Sequence, residues 1–91
     1  MKVLIIMGSE SDKPIMNESQ LWLNWFGIES ELVVASAHRN PDLVRDLMVN
    51  ATTNGFGAVI AAAGMAAALP GVCAAYTSLP VFGVPLDGGL P

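Results

Sequence analysis

Short uninterrupted apolar runs alternate along this chain with longer stretches in which apolar residues recur at helical spacing. The first run, KVLIIM at residues 2–7, is rich in branched side chains and lacks polar alternation. A strand covered by helices on both faces has this character, as in a parallel sheet. GSESD then turns the chain. Ser11 or Asp12 is placed to cap a helix, and Pro14 suits a first turn, where no amide donor is needed. Ile15, Leu21, Trp22, Trp25 and Phe26 predict a wide apolar helix face, and Gly27 ends it. Two tryptophans exceed what one face of a small domain needs, so one is expected to pack against another subunit.

ESELVVAS predicts a second strand centred on Leu32, Val33 and Val34, and SAHRNP follows it. Asn40 is positioned to cap the next helix, Pro41 to open it, and Asp42 to face the positive end of its dipole. Leu43, Val44, Leu47, Met48 and Ala51 recur at helical spacing until Asn54-Gly55. AVIAAA, residues 58–63, predicts a third buried strand. Gly64 turns the chain into MAAALPGVCAAYT, a third helix that Pro70 is expected to kink or delay. PVFGVP, residues 80–85, predicts a fourth strand, and LDGGLP reads as loop.

The order β-α-β-α-β-α-β with short connections and right-handed crossovers demands a parallel sheet with helices on both faces. The expected fold is therefore a three-layer, flavodoxin-like α/β domain spanning 1–91.

Composition changes the picture in three ways. Ninety-one residues make one small domain. Yet 53% of them are hydrophobic and 13% charged, with a mean hydropathy of +0.53, too apolar for a comfortable monomer. Either partner subunits bury part of that surface or part of the fold is missing. The net charge of −4 and pI near 4.5 exclude a basic nucleic-acid-binding face, since no three of Lys2, Lys13, Arg39 and Arg45 lie close together. The lone Cys73, inside an apolar stretch, excludes a disulfide framework and a paired-cysteine metal site, and reads as a buried thiol. No charge occurs between Asp46 and Asp87, but Gly64, Pro70, Gly71 and Pro80 break the ~20-residue apolar run a membrane span needs. No secretory leader is expected, because five apolar residues follow Lys2 before GSESD. A cytoplasmic, reducing setting is the expectation.

In doubly wound sheets, ligands bind beyond the carboxyl ends of the strands, where strand order reverses. Three strand-to-helix loops should therefore converge. The first offers Gly8, Ser9, Ser11 and Asp12 with amides at a helix start: the outline of an anion cradle, or a capped turn. It is not a Walker loop, whose lysine and glycine spacing differs. The second offers His38, which can exchange a proton near neutral pH, beside Arg39, which suits a phosphate or carboxylate. A histidine that hydrogen-bonds nearby backbone fits equally well. In the third, Gly64 and small alanines permit close approach of a ligand or tight packing, and supply no nucleophile or metal ligand. These residues point to an anionic or phosphorylated small-molecule site with one proton-transferring histidine.

The same loops, read as MGSESDKPIM, SAHRNPD and AAAGMAAALPGVCAAYTSLPVFGVP, resemble the successive signatures of the class I N5-carboxyaminoimidazole ribonucleotide mutases. These are the PurE family, the catalytic subunits of phosphoribosylaminoimidazole carboxylase. The resemblance spans essentially the whole chain and covers the family's N-terminal part. It implies a step of de novo IMP synthesis in which a carbamate carboxylate moves from nitrogen to C4 of an aminoimidazole ribonucleotide. It also implies no metal and no organic cofactor. His38 matches the residue that handles the C4 proton. Ser9, Ser11 and Asp12 match the ribose- and phosphate-binding loop, and Arg39 the arginine beside the phosphate. Ser36, Ala37, Gly64, Met65 and Leu69 match pocket-lining positions. The expected partner is a phosphorylated ribonucleotide, with no nucleic acid and no membrane, and the expected assembly is an octamer around an alanine-rich helix.

Two departures bear on these expectations. Where the family reads GAGGAAHLPG, this chain reads AAAGMAAALPG, so Ala68 stands in place of a histidine. The family also continues with a further strand and closing helices, so 1–91 is expected to be a partial PurE-like domain with an exposed fourth strand. Direct carboxylation by carbon dioxide, a nucleotide-binding module without catalysis, and a fragment that does not fold alone are the alternatives.

Overall fold

A computed structural model describes residues 1–64 and 68–86. Strand β1 (Lys2–Met7) leads through a short 3-10 turn (Glu10–Asp12) into α1 (Lys13–Trp25), then β2 (Glu29–Val34) and α2 (Pro41–Val49). Strand β3 (Phe56–Ala63), α3 (Ala68–Tyr76) and β4 (Val81–Pro85) follow. The four strands form one parallel sheet in the order β2-β1-β3-β4. The chain steps outward from β1 to β2 and returns across β1 to β3, so the strand order reverses between β1 and β3. This is the doubly wound arrangement expected from the element order.

The apolar run of β1 is explained by its central place. Val3 to Met7 are all buried. Val3, Ile5 and Met7 join Met16, Ala58 and Ala62 beneath α1. Leu4 and Ile6 join Val44, Met48, Val59, Ala61, Leu69 and Cys73 beneath α2 and α3 on the other side. Each fully buried Leu, Ile or Met side chain contributes roughly 1.5–3 kcal/mol relative to exposure. At the opposite end of the sheet, Lys2 links three strands: its Nζ lies 2.9 Å from Glu31 and 4.5 Å from the Phe56 ring centroid. Gly27 and Gly55 close α1 and the α2–β3 turn with φ of 77° and 91°, a backbone region that L side chains avoid.

Several local expectations are corrected. Neither Ser11 nor Asp12 caps α1 through its side chain; Ser9 caps the intervening 3-10 turn, accepting from the Ser11 amide. Asn40 occupies the N-cap position of α2, but its side chain makes no capping bond there. The largest correction concerns α1. Met16 is its one buried residue, while Ile15, Leu21, Trp22, Trp25 and Phe26 are 55–77% exposed. The apolar face read from the sequence points outward. Pro70 falls in the first turn of the described α3, where a missing amide proton costs nothing.

Cys73 is buried on α3, and desolvation pushes its thiol up from 9.0 to about 11. The folded chain therefore keeps a proton that the unfolded chain releases. Stability is expected to fall as pH rises from 9.0 towards about 11, by at most about 2–3 kcal/mol. Urea titrations at either end of that window check this, with Cys73→Ala expected to flatten the slope.

Candidate functional site

The strand registers bring the loops of interest to one edge. Met7 lies opposite Val34 on one side and Ala62 on the other, so β1, β2 and β3 end at one level. The Ala35 amide donates to the Met7 carbonyl at 2.8 Å, extending the ladder one residue past β2 and tying the second loop to the first. The Leu86 amide donates to the Ala63 carbonyl at 3.0 Å, holding the exit of β4 against that of β3. The reversal between β1 and β3 thus opens at the level of Gly8 and Gly64.

Short-range bonds shape the first loop. The hydroxyls of Ser9 and Ser11 lie 2.9 Å apart, and the Ser11 amide donates to Ser9 Oγ at 3.2 Å. The Asp12 amide donates to the Ser9 carbonyl at 3.1 Å. Gly8, Ser9 and Asp12 are half-buried, and Ser11 is exposed. Two adjacent hydroxyls with a neighbouring carboxylate suit a polyhydroxylated or phosphorylated ligand, because they can donate and accept at once.

Ser36 organises the second loop, a role that the sequence did not reveal. Its Oγ accepts from the amides of His38 at 3.2 Å and Arg39 at 3.1 Å, and its carbonyl accepts from the Asn40 amide at 2.8 Å. Asn40 Oδ1 in turn accepts from the Ser36 amide at 3.4 Å, which is why it does not cap α2. A serine at the start of a loop is able to form such a turn, which makes residue type a hint, but the hydrogen bonds are what identify Ser36. The backbone beneath His38 and Arg39 is therefore fixed without use of either side chain.

Both of those side chains are exposed, while Ala37 packs inward against the α2–α3 core. Lys2, Lys13 and Arg45 each have a carboxylate partner within 4.0 Å, whereas Arg39 has none among the described residues. At the edge where the other loop presents hydroxyls, an exposed guanidinium can take an anion and the imidazole beside it can exchange a proton.

In the third loop Gly64 is half-buried at the exit of β3 and Leu69 is buried in the α2–α3 core. Met65 lies outside the described residues. Among the described residues no group of three or more His, Cys, Asp or Glu could hold a metal ion, and no helix is long and apolar enough to cross a membrane.

Comparison with known proteins gives this edge a context. The family model described as AIR carboxylase matches residues 2–90. An N5-carboxyaminoimidazole ribonucleotide mutase from Vibrio parahaemolyticus is 52% identical over 96% of this chain and 54% of its own length. The mutase of Thermotoga maritima is 48% identical over 93% of this chain and 50% of its own. A phosphoribosylaminoimidazole carboxylase from Candida albicans is 48% identical over 92% of this chain and 15% of its own. The crystal structure of Treponema denticola PurE superposes with a TM-score of 0.83 at 26% identity, over 93% of this chain and 54% of that one. The chain spans about half the length of the bacterial relatives it matches.

Proposed function

Because this chain belongs to the AIR carboxylase family, we propose that its carboxyl edge binds a phosphorylated aminoimidazole ribonucleotide and carries out a carboxyl shift on it. The observation that supports this reading is that GSESD and SAHRNP leave the neighbouring parallel strands β1 and β2 at one level, tied by the bond from the Ala35 amide to the Met7 carbonyl. It puts an anion-competent Arg39, a proton-competent His38 and the hydroxyls of Ser9 and Ser11 on one edge.

The reaction is an isomerisation. The carbamate N–C bond breaks to release carbon dioxide, a new C–C bond forms at C4 of the imidazole, and the C4 proton moves to the exocyclic nitrogen. His38 takes that proton and returns it, so neither a metal nor an organic cofactor enters the balance. Ser9, Ser11 and Asp12 hold the ribose phosphate with Arg39. Gly8, Ser36 and Gly64 line the bound ligand with Ala37 and Leu69 packed in the core behind them, and the contact read for Met65 falls outside the described residues. Ala68 supplies no polar contact, so recognition rests on the first two loops. A cytoplasmic octamer belongs to the same reading, supported by the large share of apolar side chains left at the surface.

The test is to titrate the purified chain with the carbamate ribonucleotide by calorimetry and to follow its conversion. Binding with turnover supports the reading, whereas absence of binding overturns it. Binding without turnover leaves a nucleotide-binding module. The name of the Candida albicans relative motivates a second arm, aminoimidazole ribonucleotide with bicarbonate, whose faster turnover would make this chain a direct carboxylase. Arg39→Ala is expected to weaken ribonucleotide binding by roughly tenfold or more, the worth of a charge-assisted bond to phosphate, without affecting the nonphosphorylated nucleoside. An unchanged dissociation constant removes Arg39 from the phosphate site.

A further inference from the structure

Residues 36–40 join β2 to α2, and both ends of the segment are fixed. At one end the Ala35 amide donates to the Met7 carbonyl at 2.8 Å, and Ala35 is fully buried. At the other the Val44 amide donates to the Asn40 carbonyl at 3.1 Å, and Val44 is fully buried in the α2–α3 core. Ala37 packs partly buried against the same core, whereas His38 and Arg39 are exposed.

Two bonds run between the first and the last residue of the segment. The Asn40 amide donates to the Ser36 carbonyl at 2.8 Å, and the Ser36 amide donates to Asn40 Oδ1 at 3.4 Å. One bond between two residues leaves them free to swivel about it, and a second, offset from the first, removes that freedom. Ser36 is then held through its amide, its carbonyl and its hydroxyl, the last accepting from the His38 and Arg39 amides at 3.2 and 3.1 Å. The turn that carries the imidazole and the guanidinium is a closed ring, and the Asn40 carboxamide closes it from the α2 side.

This use of Asn40 runs against its ordinary helix role. Asparagine at an N-cap position normally accepts from an amide of the first helical turn, and here it makes no such bond. The start of α2 manages without it, because Pro41 has no amide proton to satisfy and Asp42 sets a carboxylate in the first turn. Residues that break a local preference concentrate where function requires a particular conformation.

We propose that Asn40 is a positioning residue for Arg39: it sets the turn before a ligand arrives, so that a bound phosphate does not have to order the guanidinium's backbone. The role rests on the reading that this edge takes a phosphorylated ligand through Arg39. A neutral hydrogen bond of ordinary net strength shifts such a loop equilibrium by about 3–10-fold. Apparent affinity falls with the share of chains whose turn is set. Bound ligand then holds the turn itself, so the effect falls on affinity and leaves kcat.

Asn40→Ala is expected to raise the calorimetric Kd for the carbamate ribonucleotide by about 3–10-fold, with kcat at saturation within about twofold. The urea midpoint should not move, since no helix cap is lost. Added to Arg39→Ala, the same substitution should weaken binding by less than a further factor of about two, because the residue it positions is gone. In the free chain, water exchange of the His38 and Arg39 amides, followed by NMR, should quicken by about 3–10-fold in Asn40→Ala. It should return to the parental rate in Asn40→Asp, which keeps the acceptor. An equal loss of affinity with and without Arg39 overturns the proposal, as does a lowered urea midpoint with unaltered amide exchange. Should the parent chain bind no ribonucleotide, the reading of the edge fails and the exchange rates still decide. Quickened by Asn40→Ala, they uphold Asn40 as the residue that sets the Arg39 turn; unaltered, they overturn it.

Discussion

His38→Asn is expected to lower turnover of the carbamate ribonucleotide by about 10²–10⁴-fold, the usual contribution of a positioned acid–base group. Asparagine keeps a planar polar side chain but has no proton to exchange near neutral pH. The loop should survive the change, because its backbone is held through Ser36 Oγ and the Ser36 carbonyl, with no bond from the imidazole. Substrate affinity should therefore stay within about threefold of the parent chain. Parallel measurement of kcat and of the calorimetric dissociation constant checks both halves. A variant with near-parental kcat would remove the proton-transfer role, and a large loss of affinity would make His38 a binding residue instead.

The second large effect concerns folding. Met16→Ala should cost about 2–5 kcal/mol, the range for truncating a fully buried side chain. Met16 is the one buried residue of α1 and fills the space between Val3, Ile5, Met7, Ala58 and Ala62. A small domain has a margin of only about 5–10 kcal/mol, so this loss should shift the urea midpoint strongly or unfold the chain. Trp25→Ala removes a much larger side chain, yet Trp25 is 77% exposed. At dilutions where the chain is monomeric, it should change stability by less than about 0.5 kcal/mol. Equal losses from the two would mean that α1 packs on the sheet through its other face.

That contrast marks where sequence reading succeeds and fails. The strands were legible because β1 and β3 are covered on both sides, and continuous apolar runs carry that information without regard to partners. The element order and short connections then dictated the sheet topology. The burial of α1 was not legible, because a helix with two apolar faces does not say which one meets its own sheet. Met16 and Leu23 meet it, while the tryptophans do not. Caps were misplaced for a related reason. Ser9, Ser11 and Asp12 all carry suitable oxygens, and a 3-10 turn before α1 decides among them. At the site, His38 and Arg39 were visible from residue type and loop position. Ser36 as the anchor of their backbone emerged from the hydrogen bonds.

The placement of β1 between β2 and β3 also has a kinetic consequence. Its pairing with β2 closes over α1 alone, whereas Val3 meets Ala58, about 55 residues later in the chain. Such distant pairings form slowly, since loop-closure entropy is lost before contacts compensate for it. In refolding, β1-α1-β2 should form a local unit first, with β3 docking afterwards. The carboxyl edge where β1 and β3 end together does not exist until that docking, so ligand-binding competence should develop with the slowest phase of folding.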